Sequence, residues 1–241
     1  MHILFVLHDL SLTGAPKLGL QIAQLLAEDA KITLVARQDG PLAKQIKHRC
    51  FDQVIINNQM HESEEPSREM RAVECLNLLA SVKPDLVYVN SIAAAEWVSV
   101  AKQANNRCAL HIHEMREGMI ALQQYDLFDP SDFNDCETVF YASSASERDF
   151  IELYGYPKEG GQVVSVGVDV DEIKALAKAA PPMAYNIHGE ALDLAKPSTR
   201  YRVGMCGAAV PRKGPDVFWE VAKALPEYDF VIGSRYMTDG S

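Results

Sequence analysis

Apolar residues run without a break from Ile3 to Leu7 and stop at the polar pair His8-Asp9, the pattern of a strand buried on both faces of a parallel sheet. After a loop over residues 8–15, Pro16 suits a first helical turn, and Leu18, Ile22, Leu25 and Leu26 recur at helical spacing. The chain therefore opens as strand, loop, helix. The same alternation predicts strands over 32–35, 53–56, 86–89, 108–112, 138–142 and 163–166, with helices over 41–47, 67–81, 93–103 and 145–154. Strands separated by helices of this length make right-handed crossovers, so the predicted class is α/β, a Rossmann-like doubly wound parallel sheet.

A boundary falls beyond Gly167, because the helix predicted over 171–180 ends in Pro181-Pro182 and a polar stretch runs to about Arg200. The pattern then restarts with a strand over 201–206, a glycine-bearing loop over 207–214, a helix over 215–224 and a strand over 228–232. The expected organisation is a first domain over 1–180, a linker over 181–200 and a partial second domain over 201–241. Two strands and a helix cannot close a doubly wound core. Apolar surface left open on such a fragment would drive homo-oligomer formation or leave the segment unstructured. Glu62-Ser63-Glu64-Glu65 reads as a solvated loop.

Composition narrows the function. With 241 residues, 48% of them hydrophobic, the chain can bury a sizeable core. A net charge of -10 removes the attraction for phosphate on which non-specific nucleic-acid binding depends, so nucleic acid is not expected as a partner. No apolar run approaches the roughly 20 residues that span a bilayer, and the first residues lack a basic leader segment; a cytoplasmic location is expected. Five scattered cysteines without a C-x-x-C pair suggest buried thiols. Lys44, Lys47, His48 and Arg49 cluster on the short helix, either as a solvated face or as a patch for peripheral contact with the inner, anionic face of a membrane or with an anionic acceptor.

Three segments carry candidate chemistry. The loop from His8 to Pro16 lies at the carboxyl end of the first strand, where open α/β sheets place their ligands. Backbone N–H groups of Thr13, Gly14 and Ala15 at the following helix N-terminus would suit a diphosphate; the alternative is an ordinary capped turn. A nicotinamide site fits less well: the loop has one glycine instead of G-x-G-x-x-G, and Ala36-Arg37 stands where a ribose-binding acid is expected, with Asp39 two residues on. His111-Ile112-His113-Glu114 is the most polar strand end, with both histidines on one face. They are either metal ligands lacking a third partner, a structural pair, or a pair whose His113 faces the cleft and donates a hydrogen bond to a hydroxyl or phosphate. In the loop Gly207 to Gly214, Arg212 and Lys213 could clamp a diphosphate leaving group, the alternative being an exposed basic turn.

The order and spacing of these segments resemble the retaining glycosyltransferases of family 4, the group 1 glycosyltransferases with the two-Rossmann GT-B fold. The likeness covers essentially the whole chain. It is carried by residues 8–16, by Pro84-Asp85-Leu86-Val87-Tyr88-Val89-Asn90-Ser91, by His113-Glu114, by residues 143–146 before a helix, by Val166-Gly167-Val168-Asp169 and by Arg212-Lys213-Gly214. The resemblance implies sugar transfer from a nucleotide-sugar donor to a glycan or lipid-linked acceptor, as in cell-surface polysaccharide assembly, with no cofactor and no metal at the reaction centre. By position it makes His113 the catalytic residue in contact with the transferring sugar. Thr13, Gly14, Arg212 and Lys213 become the diphosphate-binding set, and Asn90 and Ser144 lie on the acceptor side. Two departures bear on activity: Thr13-Gly14 replaces the paired glycines of many members, and the chain ends before the family's E-x7-E motif. The chain alone is therefore expected to have little transferase activity. A non-catalytic binding or assembly module and a GT-B nucleotide-sugar epimerase are the alternatives.

Overall fold

The predicted alternation folds into a seven-stranded parallel sheet in the computed structural model, which describes residues 1–56, 68–155, 161–164, 167, 170–179, 183–185, 191–193, 197–207 and 210–233. Two compact units divide the chain, Met1–Gly167 and Val168–Ser241.

In the first unit the elements are β1 (His2–Leu7), α1 (Gly14–Leu26), β2 (Lys31–Ala36), β3 (Gln53–Ile56), α2 (Arg68–Val82), β4 (Leu86–Asn90), α3 (Glu96–Gln103), β5 (Arg107–Ile112), α4 (Arg116–Gln124), β6 (Thr138–Tyr141), α5 (Ser144–Tyr154) and β7 (Gln162–Val163). The sheet order is β3-β2-β1-β4-β5-β6-β7. Strand progression reverses beside β1: β2 and β3 extend to one side, and β4 starts the other. That reversal is the switch point where a crevice opens at the carboxyl ends of the strands.

Both faces of the sheet are covered, which is why β1 is apolar throughout. Ile3, Phe5 and Leu7 point to one face and pack with Leu20 and Ala23 of α1. Leu4 and Val6 point to the other and pack with Cys75 and Leu79 of α2 and with Trp97 and Val98 of α3. A mostly unbroken apolar run with period-2 partition between two helix layers is the expected signature of such a strand.

The structure departs from the sequence reading in places where apolar periodicity is weak. The helix expected over 41–47 is a 3-10 turn, Pro41–Gln45, followed by a second, His48–Cys50. Lys44, Lys47, His48 and Arg49 are thus exposed across two turns rather than along one helix. The helix expected over 93–103 begins as a 3-10 turn, Ile92–Ala94, before α3. Helix α4 and the 3-10 turn Pro130–Asp135 were not expected. Met119 is the fully buried residue of α4, and one buried side chain makes no helical stripe. Of the strand expected over 163–166, residues 165 and 166 lie outside the described residues. Cys75, Cys108 and Cys136 are buried thiols as expected, whereas Cys50 is half-buried and Cys206 exposed.

The second unit contains α6 (Val170–Ala179), an antiparallel pair β8 (Met183–Tyr185) and β9 (Ala191–Asp193), and parallel strands β10 (Arg202–Cys206) and β11 (Asp229–Gly233) joined by α7 (Pro215–Ala224). α6, read from sequence as the end of the first domain, falls in this unit. The pair β8–β9 lies within the stretch read as linker, since strands of three residues are too short to show alternation. Gly214 takes a left-handed φ of 68° and Pro215 opens α7, a stop-and-start that the Gly-Pro sequence encodes. Val217 and Trp219 on α7 are 63% and 53% exposed. Among the described residues no helix is long and apolar enough to cross a membrane.

Candidate functional site

Four strand ends of the first unit, those of β1, β2, β4 and β5, meet at the switch point, and the segments singled out in the sequence lie there. After β1 the chain makes a tight turn: Asp9 Oδ1 accepts from the Ser11 N–H at 3.0 Å, and the Ser11 and Thr13 hydroxyls are 2.8 Å apart. Leu10 fastens this loop to the segment after β2. Its N–H donates to Gln38 O at 3.1 Å and its carbonyl accepts from Leu42 N–H at 2.8 Å. Gly40 permits that contact, since a Cβ there would stand 2.4 Å from Leu10 O.

Thr13 is the N-cap of α1, but its side chain caps no backbone N–H; its own N–H donates to Ser11 Oγ at 3.4 Å. Gly14 is exposed, and a Cβ built on it meets nothing within 4 Å. With the Thr13 N–H engaged by Ser11 and Pro16 carrying none, the N–H groups of Gly14 and Ala15, which have no partner among the described residues, are the donors left for an anion at this helix start.

At the neighbouring strand ends, Asn90 terminates β4 and His113 follows β5. Asn90 is fully buried, and both ends of its amide are engaged: Nδ2 donates to Ala15 O at 2.9 Å and Oδ1 is 2.9 Å from His113 Nε2. Asn90 thus ties the N-terminus of α1 to His113. The sequence placed Asn90 by strand-end position on the acceptor side; its burial makes it an internal bridge. His113 is half-buried, and no described residue is hydrogen-bonded to its Nδ1.

The two histidines share a face, as alternation required, with ring centroids 4.3 Å apart. His111 is fully buried; its Nδ1 is 2.9 Å from the Tyr88 hydroxyl, and its Nε2 is buried without a partner among the described residues. Burial holds the His111 pKa down at about 4. Burial, then the nearby His111 and His8, hold that of His113 at about 3. Both rings are neutral at physiological pH. Tyr88 and Asn90 each occupy one ring nitrogen, and among the described residues no group of three or more His, Cys, Asp or Glu is arranged to hold a metal ion.

Glu114 is the residue whose role the sequence did not disclose. Its carboxylate accepts from Ser91 Oγ at 2.5 Å and from the backbone N–H of His113 at 3.0 Å. Ser91 has a φ of 98°, strained for a residue with a Cβ, and its Oγ also accepts from Ala93 N–H at 3.1 Å. Glu114 therefore clamps a strained turn beside the site. Nearby, Arg37 Nη1 donates to the buried Glu96 at 3.2 Å, with Arg71 Nε 3.9 Å from the same oxygen. Burial pushes the Glu96 carboxyl pKa up, against the pull of Arg37 and Arg71. The arginine that spoke against a ribose-binding acid is an internal ion-pair partner.

Ser144 is the exposed first residue of α5, while its neighbour Ser143 caps that helix by accepting from Ser146 N–H at 3.1 Å. In the second unit, Lys213 is exposed in the 3-10 turn Pro211–Lys213 that precedes α7. Arg212 belongs to the same turn, and its side chain lies outside the described residues. The structure thus brings Thr13, Gly14, Asn90 and His113 to one switch point, and places Ser144 at the carboxyl end of β6 and Lys213 in the other unit.

Comparison of the sequence with protein-family models and with curated proteins finds no match. Solved structures match by fold. Anabaena HepE in complex with UDP-glucose superposes with a TM-score of 0.64 at 18% identity, over 99% of this chain and 62% of that one. A glycosyltransferase from Rickettsia africae gives 0.58 at 14% identity, over 97% and 59%. A UDP-GlcNAc 2-epimerase from Neisseria meningitidis bound to UDP-GlcNAc gives 0.56 at 13%, over 98% and 67%. The fold is therefore that of the GT-B proteins, and the chain spans about three-fifths of the length of HepE.

Proposed function

We propose that this chain forms part of a nucleotide-sugar-dependent glycosyltransferase of the family 4 type, moving a sugar with retention to a glycan or lipid-linked acceptor. The observation that carries the reading is the pairing, at the switch point, of an unobstructed helix N-terminus at Thr13 and Gly14 with a neutral, half-buried His113. The first suits a diphosphate and the second a polar, uncharged group beside it. HepE, bound to UDP-glucose, shares the fold.

In this reading the N–H groups at the start of α1 meet the donor diphosphate. Arg212 and Lys213 neutralise charge on it as the bond to the sugar breaks. His113 contacts the transferring sugar, and Ser144 borders the acceptor. The exposed Lys44, Lys47, His48 and Arg49 would meet an anionic membrane surface from the cytoplasmic side, which retention on anionic liposomes at low salt would test.

An epimerase is the second reading, favoured by the fold shared with the Neisseria enzyme. Calorimetric titration of the chain with UDP, GDP, UDP-glucose and UDP-GlcNAc tests the common premise. Binding weakened at least tenfold by Arg212→Ala or Lys213→Ala supports a donor site. A folded chain that binds none of them overturns it. Product analysis then separates transfer to an added acceptor from inversion at the sugar, and binding without turnover marks a binding module.

A further inference from the structure

We propose that Asn90 is a positioning residue that holds His113 as its Nε2–H tautomer, so that the ring offers a ligand only the lone pair of Nδ1 and recognises a hydroxyl group rather than a phosphate.

The assignment follows from one carbonyl. Ala15 O can only accept, so the Asn90 atom 2.9 Å from it must be the amide nitrogen. The other end of the amide is then the oxygen, which can only accept in its turn. His113 Nε2, 2.9 Å from that oxygen, must carry the proton. A neutral imidazole has one N–H, and here it is spent inside the protein. What is left is Nδ1, to which no described residue is hydrogen-bonded, on a ring that is half-buried. Sequence position alone suggested a histidine that donates; the hydrogen-bond chain makes it an acceptor.

The consequence is chemical selection. An acceptor lone pair attracts the O–H of a sugar or other polyol and repels phosphate oxygens, leaving the anion to the N-terminus of α1 next to it. Asn90 couples the two functions, because the carbonyl that orients it belongs to the first turn of that helix. The identity of the hydroxyl as one on a nucleotide sugar rests on the functional reading above, whereas the tautomer does not.

Two-bond nitrogen–proton NMR of the intact chain labelled with nitrogen-15 in its histidines, at pH 7 and without ligand, reads the tautomer directly. His113 is expected to show a protonated Nε2 and a bare Nδ1. A protonated Nδ1 in the wild-type protein overturns the proposal, whatever the fate of the variants. In Asn90→Ala the pure tautomer should give way to a mixture, and in Asn90→Asp a second ring proton should be retained to higher pH. Unchanged His113 signals in both folded variants overturn the role of Asn90. UDP-glucose is then expected to move the Nδ1 resonance while UDP alone does not. Equal movement by both overturns the hydroxyl assignment. If neither ligand binds and the tautomer is as stated, the nucleotide-sugar reading fails and the positioning role of Asn90 stands.

Discussion

Gly19 of α1 and Asn90 of β4 touch so closely that a Cβ at position 19 would stand 2.5 Å from Asn90 Nδ2 and 2.6 Å from Leu7 Cδ2. A glycine inside a helix costs about 1 kcal/mol relative to alanine, so the contact has a reason to exist. It lets α1 approach the sheet far enough for Ala15 O to reach the Asn90 amide. Asn90 cannot swing aside without breaking a bond at one end or the other. Gly19→Ala should therefore destabilise the protein by about 1–3 kcal/mol in spite of the gain in helix propensity. Urea unfolding followed by circular dichroism would show a lower midpoint. An unchanged or raised midpoint would mean that α1 can slide and that the contact does not set its position.

Gly14 is the contrasting case. Its Cβ would project into open space, and its φ is not in the left-handed region. Gly14→Ala should leave stability within about 0.5 kcal/mol of wild type, as for a surface substitution. Any effect must then come from what approaches the loop from outside. If a diphosphate lies against this backbone, calorimetric affinity for UDP falls by at least several-fold while the unfolding midpoint stays put. Full retention of affinity would place the anion elsewhere.

The contrast between these two glycines shows what a sequence discloses. Gly14 is legible because it follows a strand end, and strand ends in a doubly wound sheet are where ligands sit. The apolar run of β1 with its polar stop marks that end without ambiguity. Gly19 is illegible because its partner is 71 residues away along the chain and because a helical glycine reads only as a weak propensity. Asn90 fails for a related reason. Its place at the end of β4 follows from the pattern, but whether its amide faces solvent or the neighbouring helix depends on packing that no local pattern records. α4 and the short pair β8–β9 escape notice because they bury too little to leave a stripe or an alternation. Glu114 stood inside a recognised segment, yet its clamp on Ser91 depends on a positive φ 23 residues upstream.

That clamp makes its own prediction. Glu114→Ala removes the acceptor for Ser91 Oγ and for the His113 N–H, and leaves the strained turn at Ser91 unsupported. A loss of about 1–3 kcal/mol is expected, with a smaller loss in Glu114→Gln, which keeps one acceptor oxygen. Denaturant titration of both variants checks the order. Equal losses would show that the charge, and not the hydrogen-bond geometry, holds the turn.

At the start of α5 two adjacent serines should separate cleanly. Ser143 accepts from Ser146 N–H and the Ser146 hydroxyl returns to the Ser143 backbone, where the Ser143 N–H reaches Ser146 Oγ at 3.2 Å. Ser143→Ala should cost about 1 kcal/mol, the usual value of a lost N-cap. Ser144 is exposed and outside this box, so Ser144→Ala should be neutral for stability. A change in transfer or binding in Ser144→Ala at unchanged stability would then be assignable to the acceptor side.

Acid should destabilise the first unit through its two stacked histidines before most carboxylates titrate. In the folded protein His111 has a pKa of about 4 and His113 of about 3, both below the ordinary value of about 6.5. The unfolded chain therefore takes up these protons first as pH falls. Their neutral burial contributes its full stability above the unfolded pKa, and that contribution is lost progressively from about pH 6.5 down through the folded values. The slope is about 1.4 kcal/mol per pH unit for each proton taken up by the unfolded chain alone. Between pH 6 and 5 ordinary aspartates and glutamates remain mostly ionised. The buried Glu96, with its raised pKa, takes up its proton first in the folded state and opposes the loss, so the comparison with a histidine variant isolates the ring. Urea midpoints measured at pH 7, 6 and 5 should fall steadily, and His113→Asn should fall less steeply over the same interval. Equal slopes in wild type and His113→Asn from pH 7 to 5 would show that this ring is charged or solvated in the native state, and with it would go the neutral ring on which the site depends.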